Sequence, residues 1–190
     1  MSPHPLRILG LAGSLRRDSY NRALLRAAAE LSPSEFEIST FDELAALPFY
    51  DGDIEALGEP PAVRTLLAAI DGADALLLVT PEYNDGTSAV LKNAIDWASR
   101  PPKRVLGGKL VAVMGASPTP SGARGGIESV KRSLRRAGAT VLDTQVAVPG
   151  AAKAFDHAQR LIDIKVRAEL TGLLDELAIA AARPAQTVAA

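Results

Sequence analysis

Three short stretches of this chain are almost wholly apolar: Leu6–Ala12 (LRILGLA), residues 73–80 (ADALLLVT) and residues 109–116 (KLVAVMGA). A strand without a polar face must be covered on both sides, and that confines it to the interior of a parallel sheet flanked by helices. Each stretch runs directly into a loop of Gly, Ser, Pro or Thr and then into a segment of helical periodicity. Repeated strand, loop and helix in this order prescribe an α/β chain with right-handed crossovers.

The intervening segments fit that scheme. In residues 19–31 (SYNRALLRAAAEL), Leu24, Ala28 and Leu31 share one helix face opposite Arg22, Arg26 and Glu30. Pro60 and Pro61 open a second helix carrying Val63, Leu66, Leu67 and Ile70, preceded by a loop, LPFYDGDIEALGEPP. AVLKNAIDWASR forms a third, closed by Pro101 and Pro102, and Ile127, Val130, Leu134 and Ala137 mark a fourth that ends at Gly138. From Ala154 to about Ala182, Phe155, Ala158, Ile162, Val166, Leu170, Leu173 and Leu177 predict one long closing helix. FEISTF alternates like a strand wet on one face, and ATVLDTQVAV makes a fifth strand of mixed polarity. With the second strand half exposed, the expected architecture is a doubly wound five-stranded parallel sheet of order 2-1-3-4-5. Residues 1–182 are expected to form a single domain, with 183–190 as a flexible tail.

Composition removes several function classes. The 190 residues include no cysteine, so thiolate chemistry and cysteine metal sites are absent, and His4 and His157 are too few for a histidine metal centre. Lys+Arg number 21 against 22 Asp+Glu, leaving no basic excess for a nucleic-acid backbone. No apolar run approaches the ~20 residues of a membrane span, so a cytoplasmic protein with neither nucleic-acid nor membrane partner is expected. Asp51, Asp53 and Glu55 lack the rest of a calcium loop and read as a solvated loop.

In the expected topology, three loops leave the strand C-termini side by side. GSLRRDSYN precedes a helix N-terminus, where free amides and the macrodipole favour an anion; Ser14, Ser19 and Asn21 offer hydrogen bonds and Arg16 a charge-assisted pair. It has neither the Lys of a Walker loop nor a dinucleotide fingerprint, so a monophosphate is the simpler guest, while plain helix capping by Ser19 fits the same residues. In TPEYNDGTS, Pro81 fixes the strand exit and Tyr83 offers a flat ring; a type I turn at Asn-Asp-Gly is the plainer alternative. Glu82 is a single carboxylate without a visible partner, and no GxSxG elbow exists. GASPTPSGARGG is a third small-residue loop ahead of a helix, whose Lys131, Arg132, Arg135 and Arg136 form a basic face best read as solvation.

Taken in order and spacing, GSLRRDSYNR, LPFYDGDIE, TPEYNDGTSAVLKNAIDW and GKLVAVMGASPTPSGARGG resemble the NAD(P)H-dependent FMN reductases, a flavodoxin-like family with quinone, azo-dye and chromate reductases among its members. The likeness spans about residues 6–148. It implies the flavodoxin-like fold, FMN as cofactor and NADPH or NADH as cosubstrate, with no catalytic side chain required. It also implies FMN phosphate at Ser14, Arg16, Ser19 and Asn21, the flavin ring at Pro81, Glu82, Tyr83 and Asn84, and a further ring-side contact at Ser117. Hydride would pass from nicotinamide to flavin N5 and on to a quinone, azo compound, free flavin or metal oxyanion. Backbone amides around Asn84 and Ser117 are the expected stabilisers of charge on the ring.

Thr87, Ser88 and Ala89 depart from the small-Pro-Gly sequence common in the family before LKNAIDW. A flavodoxin-type electron carrier and a flavin-binding regulatory module share the fold and are the alternative functions. Family members are typically dimers or tetramers, and the wide apolar face of residues 89–99, above all Trp97, also predicts a homodimer or homotetramer.

Overall fold

The computed structural model of the chain describes residues 5–100 and 102–182; the expected tail at 183–190 and His4 lie outside them. Five strands, β1 (Leu6–Ala12), β2 (Phe36–Thr40), β3 (Ala75–Val79), β4 (Leu110–Ala116) and β5 (Thr140–Val148), form one sheet in the order β2-β1-β3-β4-β5, with every pairing parallel. The apolar runs occupy the interior of that order. All five residues of β3 are buried, whereas Glu37, Ser39 and Thr40 of β2 are exposed, as befits an edge strand.

Side chains alternate between the two faces of the sheet. On β3, Ala75, Leu77 and Val79 meet one helical layer, and Leu76 and Leu78 meet the other. The first layer contains α1 (Tyr20–Leu31) and the closing helix; the second contains α3 (Pro61–Gly72), α4 (Ala89–Ala98) and α5 (Arg124–Arg136). Each helix begins near the C-terminal end of the sheet and runs back along it, so the first turns of α1, α4 and α5 converge where the three loops emerge.

The closing segment is broken rather than continuous. A four-residue α6 (Ala151–Ala154) precedes an antiparallel bridge between Phe155 and Leu161, and α7 then runs Ile164–Ala181. Side-chain competition for the backbone divides it. Asp156 accepts the Arg160 N–H at 2.8 Å, Gln159 adopts φ +57°, and Asp163 caps α7 through the Val166 N–H at 3.0 Å. Phe155 stacks on Tyr20, with ring centroids 5.6 Å apart, while Ala158 and Ile162 are exposed instead of extending a helical stripe. Val166, Leu170, Leu173 and Leu177 are buried as expected.

The loop before α3 contains a 3-10 turn (Leu44–Ala46) and α2 (Gly52–Ala56), which Asp51 caps through the Asp53 N–H at 2.8 Å. Glu55 accepts from the Tyr50 hydroxyl and pairs with Arg100, so the acidic triplet is organised by local structure. The same segment overturns the argument from Trp97. Trp97 is 2% exposed within its own chain, its Nε1 donating to the Pro48 carbonyl at 2.9 Å and its ring edge-on to Tyr50 at 5.1 Å. Asn93 reinforces the contact, donating to Pro48 O and accepting the Tyr50 N–H. The extra apolar width of α4 is therefore covered from within the chain.

Candidate functional site

The N–H of Gly13 continues the β1 ladder to Val79 O at 2.8 Å, after which the chain leaves the sheet. Among the described residues, the amides of Ser14, Leu15, Arg16, Arg17 and Asp18 find no protein acceptor. Five successive free N–H groups leading into the start of α1 make a donor set suited to an anion. Ser19 completes the turn: its Oγ accepts from Asn21 N at 3.2 Å and Arg22 N at 3.4 Å. The capping reading of Ser19 is what the structure shows, and a hydroxyl that accepts at the cap keeps its own proton to donate.

Ser14 is 5% exposed and makes no side-chain hydrogen bond within the described residues; Arg16 is exposed and makes no ion pair among them. Asn21 has another role. Its side chain donates to Ala116 O at 3.0 Å and accepts the Ala116 N–H at 2.8 Å, tying the start of α1 to the end of β4. Asn21 thus positions the loop rather than presenting its whole amide to a ligand.

The second loop turns tightly. Tyr83 and Gly86 exchange both backbone hydrogen bonds at 3.0 Å, and Asn84 and Asp85 between them have φ +50° and +59°. Positive φ at both central residues makes this a type I′ turn, not the expected type I, and Asn and Asp tolerate it because a short polar side chain eases the left-handed region. Tyr83 is left 53% exposed, Asn84 is exposed, and Pro81 is buried. In the Thr87-Ser88-Ala89 segment, Thr87 holds the loop through a 3.1 Å hydroxyl contact with the fully buried Thr80.

Glu82 is engaged by the N-terminus of α5. Its carboxylate accepts the Gly125 N–H at 2.8 Å and the Ser121 hydroxyl at 3.2 Å, a cap supplied from another loop because the N-cap residue Ala123 offers no side-chain bond. The approach requires glycine. A Cβ on Gly126 would stand 2.5 Å from Pro81 O, and one on Gly125 would stand 3.2 Å from Asp85 O. Similarly, a Cβ on Gly13 would meet Leu91 at 2.5 Å and Ser88 Oγ at 2.6 Å, so the first turn of α4 seats directly on the first loop. Sequence reasoning did not single out Gly125 or Gly126, although a Gly-Gly pair opening a helix is a signal for close backbone approach.

Ser117 is 6% exposed at the end of β4. Its amide, an expected charge stabiliser, is spent on Val148 O at 3.1 Å, and the Thr119 amide on Ser117 Oγ at 3.2 Å. Asn84 keeps a free amide among the described residues, so Ser117 has its hydroxyl, not its N–H, to offer. The basic face of α5 is remote. Lys131 is 2% exposed, its Nζ donating to Asp143 O at 2.6 Å, and Arg135 pairs with Asp143 at 2.8 Å, both beyond the first turn and away from the loops. Burial holds the Lys131 ammonium below the usual lysine range.

A doubly wound sheet of this order, with a loop of free amides after β1 and an exposed aromatic turn after β3, defines a flavodoxin-like protein. More narrowly, residues 6–153 match the family model of NADPH-dependent FMN reductases, and the chain belongs to that family. It is 43% identical over 168 residues to the NAD(P)H-dependent FMN reductase PA1204 of Pseudomonas aeruginosa, covering 85% of this chain and 88% of that protein. A quinone reductase of Pseudomonas putida is 38% identical over 170 residues, covering 88% of this chain and 90% of its own length. Among solved structures, the flavoenzyme FerB, an NAD(P)H:(acceptor) oxidoreductase from Paracoccus denitrificans, superposes with a TM-score of 0.82 at 32% identity, covering 90% of this chain and 94% of that one. The chain is accordingly an FMN-dependent NAD(P)H oxidoreductase. Its loops suit the cofactor, since the free amides from Ser14 to Asp18 can donate to the oxygens of a phosphate. No helix among the described residues is long and apolar enough to cross a membrane.

Proposed function

We propose that this protein reduces a small quinone-type acceptor at the expense of NAD(P)H by a ping-pong mechanism, donor and acceptor using one open face in turn. Bound FMN supplies the redox chemistry, taking up hydride and passing on two electrons. The residues of the chain hold and orient. Ser14, Arg16, Ser19 and the free amides between them bind the phosphate, and Asn21 keeps that loop in register with β4. Pro81, Tyr83 and Asn84 flank the ring; Glu82 fixes their turn to α5, and Ser117 borders the ring from the third loop.

One observation carries this reading. The phosphate-type loop and the exposed Tyr83 turn lie together at one end of the sheet, while the sequence offers no second Gly-rich fingerprint for a resident dinucleotide. A nicotinamide must then visit the same face that the acceptor later uses. Steady-state kinetics with NAD(P)H and a quinone should give parallel double-reciprocal lines, and anaerobic NAD(P)H should bleach the flavin within seconds. Bleaching that takes many minutes with both NADH and NADPH would refute the proposal in favour of an electron carrier.

Self-association and a cytoplasmic setting belong to the same reading. A homodimer or homotetramer follows from the family resemblance and not from Trp97; Phe49, 76% exposed, and Leu57, 91% exposed, are apolar side chains that a second subunit would cover. Light scattering that finds only monomer at micromolar concentration would reject it.

A further inference from the structure

The segment Ser117-Pro118-Thr119-Pro120-Ser121 alternates hydroxyl side chains with proline. Prolines at 118 and 120 fix φ there and push Ser117 and Thr119 away from helical conformations. The outcome is a chain of hydroxyls. Ser117 Oγ lies 2.8 Å from Thr119 Oγ1, Thr119 Oγ1 lies 2.9 Å from Ser121 Oγ, and Ser121 Oγ reaches both carboxylate oxygens of Glu82 at 3.2 Å.

Such a chain has a direction, and Glu82 sets it. A carboxylate can only accept, so Ser121 gives Glu82 its single proton and must accept from Thr119. Thr119 then gives its proton to Ser121 and must accept from Ser117. The Ser117 proton is thereby committed to Thr119. The Thr119 N–H, donating to Ser117 Oγ at 3.2 Å, occupies one of that oxygen's lone pairs, leaving the other. A lone serine would be free to donate or accept; this one is turned into an acceptor by a carboxylate three hydroxyl links away.

We infer that Thr119 and Ser121 are positioning residues that polarise Ser117 through Glu82, so that Ser117 accepts a hydrogen bond from a ring N–H of the flavin. Oxidised isoalloxazine carries one N–H, flanked by two carbonyls, so a donating Ser117 would favour a carbonyl and an accepting Ser117 the N–H. Glu82 thus acts twice, capping α5 and orienting a hydroxyl on the neighbouring loop. The inference rests on the assignment of Ser117 to the ring.

The test is the dissociation constant of FMN, measured by fluorescence quenching, for Ser117→Ala, Thr119→Val, Ser121→Ala, the Thr119→Val/Ser121→Ala double variant and Glu82→Gln. Thr119→Val and Ser121→Ala should each weaken FMN about three- to tenfold, the worth of one net hydrogen bond. The double variant should lose no more than either alone, because both cut one chain. Glu82→Gln keeps an acceptor for the Gly125 N–H but can donate to Ser121, reversing every hydroxyl, and should weaken FMN at least as much as Ser121→Ala while lowering the thermal midpoint by no more than about 4 °C, the cost of the lost charge at the α5 N-terminus. Riboflavin should lose the same factors as FMN, since the contact is to the ring.

Unchanged affinity in Thr119→Val and Ser121→Ala, losses that multiply in the double variant, or losses confined to FMN would overturn the relay. If Ser117→Ala alone leaves FMN affinity unchanged, Ser117 does not border the ring, and the site assignment falls together with the relay. If Ser117→Ala weakens binding while the other two do not, only the relay falls.

Discussion

Arg16→Ala separates the contribution of side-chain charge to phosphate binding from that of the backbone. Arg16 is exposed and makes no ion pair among the described residues, so its attraction to a phosphate acts through water. At 4 Å in water one pair of unit charges is worth about 1 kcal/mol, and a phosphate monoester carries about −1.5 to −2 near neutral pH. At 0.01 M ionic strength, where the Debye length is about 30 Å, nearly all of that ~1.5–2 kcal/mol survives, and the substitution should weaken FMN about tenfold or more. At 0.15 M, with a Debye length of about 8 Å, screening over a 4 Å gap leaves roughly three-fifths of it, or about a fivefold loss. The free amides from Ser14 to Asp18 remain and should keep binding measurable. The assay is titration of apoprotein with FMN and with riboflavin at the two salt concentrations, riboflavin changing less than about twofold. Equal losses for the two flavins, or a loss independent of salt, would refute the assignment of Arg16 to the phosphate.

Three further predictions concern the scaffold of the site. Ser88 is 3% exposed, its φ of −70° suits proline, and among the described residues its hydroxyl has no partner and its N–H donates to no protein acceptor; Ser88→Pro should raise Tm by about 2–4 °C by relieving the orphan hydroxyl and restricting the unfolded chain, as differential scanning calorimetry would measure. Gly126→Ala drives a methyl against the Pro81 carbonyl and should cost about 1–3 kcal/mol in urea unfolding while weakening FMN, whereas Gly52→Ala, which meets nothing within 4 Å, should leave FMN affinity unchanged. The Arg160 backbone N–H, aided by its guanidinium, holds the Asp156 carboxyl below the ordinary value. The unfolded chain then binds more protons below about pH 4, so this stabilisation is fully present above that pH and is lost as pH falls through the folded value. Asp156→Asn should flatten that part of the acid limb of a stability–pH curve.

What the sequence determined by itself is what neighbours along the chain decide. Leu6–Ala12 and residues 73–80 announce buried strands because burial on both faces leaves little room for polar residues away from the strand start, and the half-polar FEISTF announces an edge; strand order followed from that contrast. Ser19 and the glycine-led loop after β1 were legible because a helix start has four free N–H groups whatever surrounds it. Tertiary structure alone decided the rest, since the deciding partners lie far away in sequence. Asn21 is claimed by Ala116, 95 residues on; Glu82 meets Gly125 after 43; Trp97 is satisfied by Pro48 rather than by another subunit. Even the closing helix obeyed this division. The apolar spacing of Phe155, Ala158 and Ile162 suggests a helix, but Asp156 and Asp163 divert the backbone hydrogen bonds there, and Phe155 stacks on Tyr20, distant in sequence. Periodicity reports which residues favour leaving water, whereas which of them do so, and which acceptors, rings and caps receive them, is settled only where the packed layers bring those groups together.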